Sequence, residues 1–211
     1  MENKTLILST AYLPPLEYWA ALLQHDKILL EAHEHYQKQS YRNRCRILGP
    51  NGVQDLNIPV AGARKSKMLI TDVAVFDDGL WQKIHWKSIE TAYNSSPFFL
   101  YYVDYFEDFY RTMPEKLFDF NRQIMETIFE ILELDITIGQ TKEFIKEYDA
   151  EVSDLRYHIH PKIASDFSER CRMNPYIQVF SDRHGFVPNL SILDLIFNMG
   201  PEARTYLEQL G

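Results

Sequence analysis

The sequence predicts an α/β protein. A mixed sheet that starts as a βαβ unit and includes a β-hairpin is flanked by helices, with α+β as the alternative. Three observations predict it. Residues 5–31 read strand, loop, helix, strand. Residues 41–60 carry two β-prone runs around "GPNG". After residue 79 the apolar spacing turns helical.

The elements follow in order. "TLILST" is an apolar strand, ended by the Pro14–Pro15 pair, and Pro15 suits a first helical turn. Leu16, Trp19 and Leu22 or Leu23 then recur at helical spacing. "KILLEA" reads as a strand buried on both faces, and a strand–helix–strand order makes the two strands parallel. "YRNRCRIL" and "VQDLNIPV" around the Gly/Pro/Asn turn form a hairpin pattern. "GARKSK" is a basic loop, and "MLITDVAVFD" is a further strand candidate.

Helical patterns fill the next stretch. Trp81, His85, Ser88 and Ala92 form one stripe. Pro97 opens an aromatic helix whose packing stripe is Phe98, Tyr102, Tyr105 and Phe109. Leu117, Phe120, Ile124, Ile128 and Ile131 define a buried helical face. "DITIGQT" is a short returning strand, residues 146–175 are loops with short helices, and "YIQVF" is a last strand. Two helices close the chain, with Gly200 at the C-cap of the first and Pro201 opening the second. All 211 residues are expected to form one domain.

Composition narrows the function. The net charge of −8 disfavours broad binding to a nucleic-acid backbone, so any anion site must be local. No apolar run reaches the length of a membrane span, and the first residues lack a signal-peptide pattern, so the expected location is cytoplasmic. Two cysteines, outside any CxxC pair, give no disulfide framework. No GxxxxGK(S/T) phosphate loop, no GxGxxG and no GxSxG elbow is present, and no motif names a cofactor.

Four stretches can carry chemistry. If residues 36–47 are extended, Arg42, Arg44 and Arg46 share a face with Lys38. Arginine forks hold phosphate or carboxylate bidentately, whereas the plainer reading is a charged edge strand that resists aggregation. In "LSILDLIFN", Ser191, Asp194 and Asn198 share a helical face amid apolar residues, and a buried Asp194 would need a partner that the arginines could supply. The plainer reading makes Ser191 an N-cap and the stripe solvated. His85 titrates near neutrality and could serve as a base, or simply pack. The "HEH" and "HIH" pairs (His33, His35; His158, His160) have chelating spacing in a strand, but no further ligand joins them, so no metal is expected.

"YLPPLEYW" with Asp26, "YQKQSYRNRCRILGPNG" with "LNIPV", "WQKIHWKSIETAYNSSPFF" and "PNLSILDLIFNMGPEARTYL" occur in this order. Over residues 7–112 and 174–207 the chain resembles the WbqC-like family. The matching positions are Pro14, Tyr18, Asp26, Gln37, Lys38, Asn43, Arg44, His85, Tyr93, Pro97, Asp194 and Asn198. One departure is that "DLRYHIHPKIASDF" stands where many members carry a Gly-rich "YLSG"-type segment.

The resemblance implies a role in surface-polysaccharide biosynthesis of the O-antigen or capsule type. It points to one site in which Lys38, Arg42, Asn43, Arg44 and Asn198 bind a small anionic ligand. That ligand is a nucleotide-sugar or an activated acyl donor, and His85 and Asp194 act on it. Two functions of different class fit. One is a transferase moving an acyl or aminoacyl group to a sugar, with His85 as the base. The other is a non-catalytic ligand-binding or scaffold protein of the same pathway.

Overall fold

The computed structural model describes residues 5–62, 67–162 and 171–210. Its centre is a four-stranded parallel sheet of order β5-β2-β1-β6. Strand β1 (Thr5–Ser9) pairs with β2 (Lys27–Glu31) from Thr5 opposite Lys27 to Ser9 opposite Glu31. Helix α1 (Leu16–Leu23) joins them, and every residue of it but Leu23 is buried, as an apolar helix between two parallel strands requires. Strand β5 (Ile138–Gln140) adds to β2, and β6 (Val152–Asp154) adds to the other side of β1.

The hairpin of β3 (Arg44–Gly49) and β4 (Gly52–Asn57) is its own two-stranded antiparallel ladder. Gly52, at φ 104°, closes its turn with a backbone that L side chains rarely adopt. The α/β class with a βαβ start and a hairpin is therefore observed, with the hairpin standing apart from the parallel strands.

Helices α2 (Trp81–Tyr93), α3 (Phe99–Glu107), α4 (Leu117–Ile131), α5 (Ser181–His184), α6 (Ile192–Met199) and α7 (Ala203–Glu208) complete the described structure. One apolar cluster runs through them, from Leu6 on β1 to Leu210. Gly200 ends α6 at φ 56°, and a Cβ there would lie 2.5 Å from the Phe98 ring, so this C-cap needs glycine for both backbone and space.

Several expectations are corrected. "MLITDVAVFD" is not a strand. A 3-10 turn at Ile70–Asp72 interrupts it, and only isolated bridges such as Val60–Val75 and Ala74–Lys116 form. "YIQVF" pairs with no strand among the described residues, while residues 152–154, expected in a loop, supply β6. The aromatic helix starts at Phe99 and buries Phe99 and Phe106, leaving Tyr105 half exposed. In α2, Ile89 rather than Ser88 completes the buried stripe. Residues 63–66 of the basic loop lie outside the described residues. Among the described residues, no helix is long and apolar enough to cross a membrane.

Candidate functional site at the carboxyl end of the parallel sheet

The chain leaves β1 for β2 and β5 on one side, then returns through β6 on the other. The strand order therefore reverses between β1 and β6. In parallel sheets, ligands settle outside the carboxyl ends of the strands at such a reversal. Here the carboxyl ends carry a dense set of buried charges.

Arg42 does not share a strand face with Arg44 and Arg46. Gln39 adopts a left-handed φ of 58°, and Ser40 caps a 3-10 turn at Tyr41–Asn43 by accepting from the Arg42 amide. That turn rotates Arg42 inward. Its Nε donates to Glu34 Oε1 at 2.8 Å, and its Nη2 donates to Glu34 Oε2 at 2.5 Å and to Ser9 Oγ at 2.6 Å. The bidentate fork offsets the cost of burying both charges. Ser9 Oγ also lies 3.0 Å from the Arg156 carbonyl, which links the ends of β1 and β6.

Arg156 repeats the arrangement. It donates to Glu31 Oε2 at 2.8 Å and to both oxygens of Asp154 at 2.9 and 2.6 Å. Two carboxylates beside it raise its pKa further, against the lowering by burial. The rings of Phe144 and Tyr148 lie 4.9 and 5.0 Å from its guanidinium carbon. Tyr157 is exposed, with the Arg42 and Arg156 guanidinium carbons 5.9 and 5.7 Å from its ring centre.

A cationic rim surrounds this floor. Partial burial lowers the His160 pKa, and the charges of Arg42, Lys162 and Arg44 lower it further. Lys162 Nζ donates to Gln39 Oε1, tying the loop after β6 to the loop after β2. Lys38 is exposed. Arg44 and Arg46 share one carboxylate, Asp55, at 3.3 and 3.2 Å, so the hairpin face keeps an excess of positive charge. Asn43 Nδ2 donates to the Ile58 carbonyl at 2.7 Å, a bond that anchors the hairpin.

The other predicted residues sit elsewhere. His85 is buried on α2. Its Nε2 lies 3.2 Å from the Asn57 carbonyl and its Nδ1 3.0 Å from the Tyr12 hydroxyl, which is 2.6 Å from the Tyr110 hydroxyl. A carbonyl only accepts, so Nε2 carries the proton, Nδ1 accepts from Tyr12, and Tyr12 accepts from Tyr110. Burial pushes the His85 pKa down to about 4, so the ring is neutral at pH 7 with both nitrogens used.

Among the described residues, Asp194 pairs with no arginine. Its Oδ2 accepts from Tyr176 at 2.6 Å and from Gln178 at 2.8 Å, while Oδ1 and the neighbouring Tyr93 hydroxyl are buried without a formed hydrogen bond. Burial raises its pKa to about 6, against the lowering effect of the donors that face it. Asn198 Nδ2 donates to the Asp194 carbonyl at 2.7 Å, and Ser191 caps α6 by accepting from the Leu193 amide. Arg42, Arg44 and Arg46 find their carboxylates in Glu34 and Asp55, not in Asp194.

The N-terminus of α1, which also lies beyond β1, is closed. The Leu16 amide donates to the Leu190 carbonyl at 3.2 Å and the Glu17 amide to Asn189 Oδ1 at 3.1 Å. A phosphate cannot take those donors without displacing residues 189–190.

Sequence reasoning missed Glu31, Glu34, Arg156, Tyr157 and Lys162. Glu34 stands inside the "HEH" triplet read for its histidines. Arg156 stands in the segment that replaces the Gly-rich one. Among the described residues, no three His, Cys, Asp or Glu side chains are grouped to hold a metal ion.

No solved structure matches the chain. It is 25% identical over 230 residues to the uncharacterised protein Rv1507c of Mycobacterium tuberculosis (strain ATCC 25618 / H37Rv), with 97% of each chain covered. The model of the WbqC-like protein family matches residues 10–166. That span begins just after β1 and takes in both buried arginines, the cationic rim and His85; Asp194 and Asn198 lie beyond it. The match covers more than half of the sequence, and the chain belongs to the WbqC-like protein family.

Proposed function

We propose that this protein serves a surface-glycan pathway by binding a small anionic ligand, a nucleotide-sugar or an activated acyl donor, at the carboxyl end of its parallel sheet. One observation carries the reading. In an acidic chain, Arg42, Arg44 and Lys162 act together on the partly exposed His160, and Arg42 also lies by the exposed Tyr157 ring, where the strand order reverses. The buried Arg42–Glu34 and Arg156–Glu31–Asp154 groups hold the floor rigid and leave the rim cations to meet the ligand. Tyr157 offers a face on which a base or sugar ring stacks.

The closed surroundings of His85 favour a binding role over catalysis by that residue. A transferase remains the second reading, carried by a different imidazole. His160 is partly exposed, and partial burial together with its cationic neighbours lowers its pKa, favouring the neutral form that a general base needs.

Thermal unfolding with nucleotide-sugars, free nucleotides and acyl-CoAs tests the proposal. A ligand at about 100 times its Kd stabilises the native state by about 2.7 kcal/mol. The expected result is a rise in Tm with one of these classes that disappears in the Arg44→Ala, Lys162→Ala double variant. An undiminished rise in that variant, or no rise with any class, overturns the site. In the second reading, His160→Gln keeps the rise and loses turnover.

A further inference from the structure

Among the described residues, the three most exposed large apolar side chains lie on α3 and beside the end of α6. Ile177, Leu100 and Tyr101 are 84%, 82% and 73% exposed, and Tyr105 is 50% exposed. Leu100 with Asp104, and Tyr101 with Asp104 and Tyr105, are three or four apart and so line one side of α3. Tyr101 meets the Phe98 ring at 6.2 Å, and Phe98 lines a cavity of about 450 Å³ with Tyr176, Ile177, Asn198, Met199, Pro201 and Glu202. The helix face and the cavity are thus one continuous surface.

We infer that this surface docks a partner protein, through a bulky apolar side chain seated in the cavity and lysines or arginines flanking it. The extent argues for a macromolecule. Exposed apolar side chains continue from the cavity along two turns of α3, beyond the reach of a small ligand. Isolated soluble proteins rarely expose such a continuous patch, and tyrosines around an anchor pocket are the usual makeup of a protein interface. Charge sets the partner's chemistry. Neither α3 nor the cavity wall contains a lysine or arginine, while Asp104 and Glu202 are exposed and make no ion pair among the described residues. A second copy would bring like carboxylates together, so the surface suits a basic partner rather than itself. This inference does not depend on the ligand proposed for the sheet edge.

The test uses the full chain and a synthetic amphipathic helical peptide of leucine and lysine, with its leucine and glutamate counterpart as control. Amide chemical shifts report where each binds. The lysine peptide should move resonances of α3 and of residues 176–177 and 198–202. Its affinity should fall by roughly tenfold or more in the Ile177→Asp, Tyr101→Ala double variant, about 1.4 kcal/mol per factor of ten. Asp104→Lys with Glu202→Lys should weaken it severalfold, and the glutamate peptide should move none of these resonances. These positions are exposed, so the variants fold, and retained secondary structure by circular dichroism checks this. Equal binding by the double variant, or shifts confined to other surfaces, overturns the inference. So does concentration-dependent self-association in sedimentation that Tyr101→Ala abolishes, because the occupant is then a second copy.

Discussion

Two buried polar regions of this molecule handle charge in opposite ways. At the carboxyl end of the parallel sheet, Arg42 and Arg156 are clamped by the carboxylates of Glu34, Glu31 and Asp154. On the helical side, His85 and Asp194 are single ionisable groups held only by neutral donors and acceptors. Burial therefore disfavours charge on both His85 and Asp194 and pushes their pKa values toward the neutral forms. A perturbed histidine is often read as an active-site mark. Here the same perturbation accompanies a closed core, while the charged floor lies beside the cationic rim.

The comparison breaks most readily at Arg156. Arg156→Ala leaves Glu31 buried without its cation, and losing one partner of such a pair costs about 3–5 kcal/mol. Urea unfolding should show that loss, and a drop under about 1 kcal/mol would mean that the floor is hydrated rather than clamped.

The helical side is tested by pH. Asp194 has a folded pKa raised from 3.8 to about 6, so the stability it contributes is present at low pH and falls as pH rises through 4 to 6. His85 has a folded pKa lowered from 6.5 to about 4, so its contribution is present above pH 6.5 and is lost as pH falls toward 4. Each shift of roughly two units corresponds to about 3 kcal/mol, and the two act in the same window with opposite sign. The wild-type protein should therefore show little net dependence from this pair, whereas Asp194→Asn should lose stability steadily from pH 6.5 to 4. Urea titrations at each pH decide it, and parallel curves for wild type and variant would show that Asp194 is ionised in both states.

A smaller effect is expected at Tyr12. Tyr12→Phe removes the donor to His85 Nδ1 and strands a buried acceptor, at about 1–3 kcal/mol. The His85 pKa, followed by NMR, should shift with it. The smallest effect is at Arg44, which shares a partly exposed Asp55 with Arg46. Arg44→Ala should change stability by no more than about 1 kcal/mol. A larger loss would place Arg44 with the clamped arginines rather than with the rim.

Much of this fold was legible in the sequence because it rests on periodicity. Strands β1 and β2, the hairpin, α2, α4 and the capped α6 all follow from apolar spacing and turn residues. What was not legible rests on tertiary choice. Val152–Asp154 becomes a strand because β1 has a free edge, not because three polar-flanked residues prefer it. "YIQVF" alternates like a strand, yet Tyr176 and Gln178 are drawn to Asp194 instead. The arginine face failed at one residue. The period of two holds for Arg44 and Arg46, but the left-handed Gln39 and the Ser40 cap turn Arg42 into the core. For Asp194 the sequence left a buried, arginine-paired carboxylate and a solvated stripe both open; it is buried, and its formed partners are the Tyr176 phenol and the Gln178 amide.

The closure of α1 by residues 189–190 has a consequence for how the chain acquires its structure. The donors of Leu16 and Glu17 find acceptors that lie 172 residues further on in the case of Glu17, and the Ile192 amide reaches back to the Pro14 carbonyl. While the chain is being synthesised, β1, α1 and β2 can emerge early, but the first turn of α1 has no partner until residues 189–192 appear. Contacts of such separation carry a large loop-closure cost and slow folding. Completion of the βαβ unit is thus set by the arrival of the α6 segment, and the ribosome-bound intermediate should remain sensitive to proteases near residues 13–17 until then.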